Sequence, residues 1–183
     1  EYHHNAQGGT CDGIEIPDGA VKKARAWLAS ITDPETGKAG FSSKSDPVPG
    51  LGDESAGDDL LATTAAALCA RIYLGEKPGA PGMEKAASLL EANPFRRAGD
   101  PRSDSLYAFF GSIAAFQVGG PCWDGWWQAI KDALPPAQVR SGCASGSWNP
   151  EGPFEKKAGR VWTTAANTMI LESPYRFMRF YGK

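Results

Sequence analysis

The sequence predicts an all-helical fold built from three pairs of helices, one outer and one inner in each pair. Three observations carry that expectation. Helices with a single apolar face alternate with helices that are apolar around most of their circumference. The second kind share a patch of small side chains, Thr63-Thr64-Ala65-Ala66, Gly111-Ser112-Ile113-Ala114 and Thr163-Thr164-Ala165-Ala166, spaced by 48 and 52 residues. Spacings of that size are typical of helical repeat arrays. The glycines and prolines fall mostly between the helical segments, where turn chemistry belongs.

Residues Glu1 to Pro17 read as an extended N-terminal segment with turns at Gly8-Gly9 and Asp12-Gly13. His3 and His4 are the chain's two histidines. On an extended backbone adjacent side chains point to opposite sides, so a shared metal is awkward there. The repeat domain is expected over 18–183. Asp18 suits the N-cap of a first helix over Gly19 to Ile31, with Val21, Ala24, Trp27 and Leu28 as its apolar stripe. Met83, Ala86, Leu89 and Leu90 repeat that stripe in the helix opened by Pro81. Trp127, Ile130, Ala133 and Leu134 repeat it after Pro121. With charge on the opposite face, these three belong outside.

The inner helices are expected over Gly57 to Leu74, Asp104 to Val118 and Arg160 to Glu172. Their alanine, serine and threonine patches allow close backbone approach in packed hairpins. Gly40-Phe41 and Gly146-Ser147-Trp148 sit at matching places after an outer helix, which predicts glycine turns that tuck an aromatic ring beneath a hairpin. Trp148 and Trp162 are expected in the core. The first connector, Thr32 to Ala56, is long for a passive loop. Asp53, Glu54, Asp58 and Asp59 gather on or beside it, in a spacing that does not match an EF-hand loop, and Asp58 and Asp59 suit a helix's first turn.

Composition bounds the function classes. The length fits a single domain with enough chain to bury a substantial core. A formal net charge of −2 with scattered basic residues leaves no electrostatic footprint for nucleic acid. No run approaches the ~20 apolar residues of a membrane span. The four cysteines, Cys11, Cys69, Cys122 and Cys143, contain no CxxC, which argues against a zinc knuckle. They leave reduced thiols or one to two disulfides. Cys122 and Cys143 bracket the last outer helix and its following turn, which makes them the candidate bridge if the chain from Pro135 to Ser141 runs back along that helix. Cys69 reads as a small buried hydrophobe. A chain that starts at Glu1 without Met reads as a mature product after signal removal or as a fragment of a longer protein, and the even cysteine count leans slightly towards an extracytoplasmic compartment, periplasmic or secreted.

The pairing of outer helix, glycine–aromatic turn and small-residue inner helix resembles the repeat of the prenyltransferase and squalene-oxidase superfamily. Its members include squalene-hopene cyclases, protein prenyltransferase beta subunits and complement-type thioester domains. SGCASGSWNPEG is similar to that family's Gln-x-x-x-Gly-x-Trp turn, with Ser141 or Gly142 near the place of the glutamine. GRVWTTAANTMILESPYRFMRFY resembles the terminal repeat of a bacterial subgroup. The resemblance covers most of residues 18 to 181 and implies an α/α toroid, here about three hairpins forming a partial ring. The catalytic motifs of the family do not carry over. Gly57-Asp58-Asp59 lacks the first acid of the cyclases' Asp-x-Asp-Asp, the histidines lie outside the repeats, and no cysteine begins a Cys-Gly-Glu-Gln.

Two functional readings follow. In the favoured one the chain is a non-catalytic binding or scaffolding subunit that needs no cofactor. Its partner is another protein chain or a second copy of itself. Tyr107 and Phe110 on the middle inner helix, and Tyr175, Phe177, Phe180 and Tyr181 in the tail, are the expected contact residues. In the other reading it is an isoprenoid-binding protein or a degenerate cyclase-like enzyme, with Trp123, Trp126 and Trp127 lining the ligand cavity. A catalyst needs convergent titratable groups, and the inner helices carry no Ser/His/Asp set, no paired carboxylates and no metal cluster.

Overall fold

The computed structural model describes residues 10–11, 14–48, 60–77, 79–96 and 105–180. The histidine pair, the acidic cluster from Asp53 to Asp59 and Tyr181 lie outside them. Two short strands, β1 (Thr10–Cys11) and β2 (Ile14–Glu15), pair antiparallel with Thr10 opposite Glu15. The other regular elements among the described residues are helices: α1 (Asp18–Ile31), α2 (Leu61–Tyr73), α3 (Pro81–Ala92), α4 (Ser105–Val118), α5 (Gly120–Ala133) and α6 (Pro153–Arg176). The helices pack in the two layers the sequence predicts. α2, α4 and α6 lie side by side with α4 in the middle, while α3 rests on α2, α4 and α5, and α5 rests on α4 and α3.

α4 is apolar almost all round, so both flanks and its outer side can be covered at once. The outer side is covered by α5 through one close approach. Gly111 has no side chain, and a Cβ there would lie 2.2 Å from the ring of Trp126. The edge of the Trp126 ring therefore sits directly against α4 at Gly111, and its indole Nε1–H donates to Ser112 Oγ at 2.9 Å. Tyr107 meets the same ring edge-on, with centroids 5.2 Å apart, and its hydroxyl donates to the Asn93 carbonyl at 2.5 Å, just past the end of α3. Tyr107 is 1% exposed. It is a core residue and not the exposed contact residue expected. Its ring is consumed in joining α3, α4 and α5. Phe110 is half-buried and packs against the same core.

The small-residue patches of α2 and α6 do a second job. Thr64 Oγ1 accepts the Ala39 N–H at 3.0 Å, and Thr164 Oγ1 accepts the Trp148 N–H at 3.3 Å. Each inner helix thus offers the same hydroxyl to the backbone of the connector before it. In the third pair this seats Trp148, whose indole N–H donates to the Leu134 carbonyl at 2.7 Å and ties the end of α5 to α6. In the first pair the docked residue is Ala39, not Phe41. Phe41 is 47% exposed, so the expected tucked ring is absent. Asp46 explains where that turn goes: its carboxylate accepts the Ser42 and Ser43 N–H groups at 2.8 and 2.6 Å and closes the loop outward. Hydrogen bonds, first from the Ser42 hydroxyl, outweigh desolvation and hold its carboxyl well below the ordinary carboxylate range.

α1 is the lightest member. Leu28 and Ile31 are buried against Ala39 and Ala67, but Trp27, expected on the same stripe, is 52% exposed. Side-chain polar groups hold the helix: Arg25 donates to the Leu74 carbonyl, and the buried Arg71 guanidinium reaches Thr32 Oγ1 at 3.1 Å and Glu76 at 2.8 Å. α6 begins earlier than expected. Residues 153–158 form a helical turn of their own, broken at Gly159, whose φ of 84° a glycine adopts without strain. Thr163 Oγ1 then donates to the Gly159 carbonyl at 3.0 Å and restarts the helix.

Replacing Gly111 with alanine should therefore lift Trp126 off α4. Overpacking of this kind costs about 1–3 kcal/mol, or a fall in Tm of roughly 2–4 °C per kcal/mol at this size. Thermal melting followed by circular dichroism measures it, and an unchanged Tm would show that the ring is not seated there.

Candidate functional site

The tryptophans that the second reading assigns to a ligand cavity are occupied with one another. Trp123 stacks on Trp127 with centroids 5.2 Å apart and meets Phe116 edge-on, while Trp126 is buried on Gly111. Trp148 is buried and Trp162 is half-buried against Phe154. The larger of the two clefts described, about 670 Å³ and open to solvent, lies between the C-terminal ends of α3 and α5. Phe95, Ala129 and Ala133 form its apolar part, and Arg96, Asp132 and Glu151 its charged part. None of the three tryptophans lines it.

The expected Cys122–Cys143 bridge is not formed; both are free thiols. Cys122 is buried in the first turn of α5, 3.9 Å from the Ala87 carbonyl on α3. Cys143 is exposed in a turn beyond the other end of α5. That turn does not run back along the helix, because Val139 and Ser147 pair through their backbones and Trp148 pins it to Leu134. Burial pushes the Cys69 and Cys122 thiols up to about 12, so neither carries a thiolate at neutral pH. Among the described residues no three His, Cys, Asp or Glu side chains gather into a metal-holding group. Among the same residues no helix is long and apolar enough to cross a membrane.

Two polar centres were missed by pattern reading. The first is Glu155, fully buried at the start of α6. One carboxylate oxygen accepts the N–H and the hydroxyl of Ser105, at the start of α4, with the N–H at 3.1 Å. The other accepts the N–H groups of Glu151 and Gly152 at 2.7 and 3.3 Å. One anion thus serves the N-terminal ends of two inner helices, where the helix dipoles favour negative charge. Asn167 Oδ1 lies 3.2 Å from Ser105 Oγ, and its Nδ2 is buried without a partner. A hydroxyl has one proton, already given to Glu155. With the amide turned over, Asn167 donates to Ser105 and Ser105 donates to Glu155, and the cluster becomes a consistent chain. The sequence did carry a signal: a glutamate three residues after Gly152 is half of a capping box.

The second is Gln117, the long polar side chain at the end of the otherwise apolar α4 and fully buried. Its Nε2 donates to the Met178 carbonyl at 2.7 Å, and its Oε1 accepts the Phe180 N–H at 2.8 Å. The tail therefore crosses the C-terminal ends of α4 and α2. Phe177 packs on the main core, and the Phe180 ring meets Tyr73 edge-on at 5.4 Å. The Arg179 guanidinium lies 4.9 Å over the Phe116 ring. Tyr175, by contrast, is 87% exposed on α6.

Tyr175 belongs to a longer open stripe. In α2 the residues Leu61, Ala65, Leu68 and Ile72 are all buried in the main core. One repeat on, Phe109, Ile113 and Phe116 of α4 are packed in the core. The same register in α6 reads Val161, Ala165, Thr168 and Glu172, and all four are exposed, Val161 at 86%.

Glu155→Gln tests the shared anion. It puts an NH2 group against buried N–H donors and should cost about 2–3 kcal/mol, measured by urea unfolding. Stability equal to the parent chain would show that the carboxylate does not join the two helices. Comparison with family models, curated proteins and solved structures brings no match for this chain.

Proposed function

We propose that the chain is a non-catalytic binding or scaffolding subunit with a partial α/α-toroid arrangement, working inside a larger protein assembly. One observation carries this reading: the stripe that α2 and α4 bury is left open on α6, from Val161 to Tyr175. These two residues are 14 positions apart, about 21 Å along a helix at 1.5 Å per residue. That length suits one side of a specific interface, which buries on the order of 1,200–2,000 Å² in total. Thr168 and Glu172 keep the middle of the stripe wettable, as the end of a repeat array requires. The surface is then a docking edge with apolar anchors at its two ends. The partner is another protein chain or a second copy.

The reading moves the contact residues expected from the sequence. Tyr107 is spent inside the core, and the outer face of α6 takes its place.

Val161→Glu combined with Tyr175→Glu should release the partner while leaving helicity unchanged, since neither side chain supports the core. The measurement is the size of the native complex in lysate, by size-exclusion chromatography with immunodetection. Parent chain in a large species and variant at the size of the free 19.4 kDa chain is the expected result. A variant that stays in the large species, or a parent chain that already runs alone, overturns the reading.

A further inference from the structure

The tail contact is built like a peptide-recognition site. We infer that the groove at the C-terminal ends of α2 and α4 binds an extended segment bearing arginine followed by an aromatic residue. In this chain the tail's own Met178-Arg179-Phe180 fills it. The occupant is a partner's peptide of the same chemistry, which exchanges with the tail.

The argument starts at Gln117. In an extended chain the carbonyl of one residue and the N–H two positions later lie on the same edge, the pair that a neighbouring strand would read. Gln117 presents an acceptor and a donor to that pair, at Phe180 N–H and the Met178 carbonyl. A side-chain amide thus replaces the strand edge in β-augmentation, giving register without reading side chains. The amide is fully buried beneath the tail, which satisfies both of its polar atoms, and any segment that takes the tail's place must supply the same carbonyl and N–H. Specificity comes from the flanks. The Phe116 face, backed by Trp123 and Trp127, takes a guanidinium. The Tyr73 ring takes an aromatic edge.

The tail is a surface occupant. Met178 and Phe180 are exposed large hydrophobics, and Arg179 is exposed as well. α6 ends at Arg176 and Phe177 is already extended, so residues 178–180 can leave without unwinding a helix. The site uses no residue of the open α6 stripe and stands or falls independently of the assembly proposed above.

The test uses the full chain and a fluorescein-labelled peptide matching residues 175–183. Its anisotropy is measured with the parent chain and with Arg179→Ala/Phe180→Ala, whose own tail no longer competes well. The variant should bind the peptide at least tenfold more tightly than the parent. A peptide N-methylated at the residue matching Phe180 loses the N–H that Gln117 reads, and should bind the variant at least tenfold more weakly. This second arm leaves the protein untouched and does not depend on any variant of Gln117 folding. Equal affinity for parent and variant, no binding to either, or indifference to N-methylation each overturns the inference. Val161→Glu should bind the peptide as the parent does, which separates this site from the α6 face.

Discussion

The seating of Trp126 on Gly111 is the contact on which the two-layer arrangement depends. An inner helix covered on both flanks and its outer side can be approached closely only where it lacks a side chain. α4 provides that gap at Gly111, and α5 fills it with the largest ring available. The ring's polar atom is satisfied by Ser112 one residue on, so the burial leaves no unpaired donor. Tyr107 then braces the same ring and carries the connection to the end of α3. Through these three residues one inner and two outer helices are fixed, and α2 and α6 align on the flanks of α4.

The patches of small residues have different duties in the three inner helices. In α4 the glycine–serine pair receives a ring from an outer helix. In α2 and α6 the threonine pair receives a connector backbone. This is why connectors of unequal length can enter the same array: each needs one free N–H at the right place, supplied by Ala39 in one case and Trp148 in the other. Glu155 performs a complementary task at the N-terminal ends of α4 and α6, satisfying donors of both together.

Helix identity was legible because apolar periodicity and glycine–proline punctuation are local properties. α1 was expected over Gly19 to Ile31 and runs Asp18–Ile31, and the other outer helices open at the prolines that marked them. Facing was less legible. α4 is apolar all round, so periodicity could not say that Tyr107 points into a helix junction. Phe41 was matched to Trp148 by its glycine, whereas the register that matters is the backbone donor to threonine, one unit that sequence alone does not display. The cysteine pair failed for a geometric reason: Cys122 lies in the first turn of the 14-residue α5, and Cys143 in a turn beyond that helix's far end. Gln117 was passed over because a single polar residue in an apolar stretch gains meaning only from partners remote in sequence, while Glu155 showed its local capping box but not its bonds to Ser105, 50 residues away.

α6 differs from α2 on the face that α2 buries. Where α2 has Leu68 and Ile72, α6 has Thr168 and Glu172, with Arg176 pairing to Glu172 at 3.2 Å on the surface. These changes lower the cost of water on a face that another repeat would otherwise cover. Full polarity would have been the simplest cap, and Val161 and Tyr175 depart from it at both ends of the stripe. The tail also avoids this face. After Arg176 the chain turns away from the open side and crosses to Gln117 and Tyr73 instead. Its course over α4 and α2 leaves the α6 face uncovered, so the tail contact and the exposed stripe share no residue.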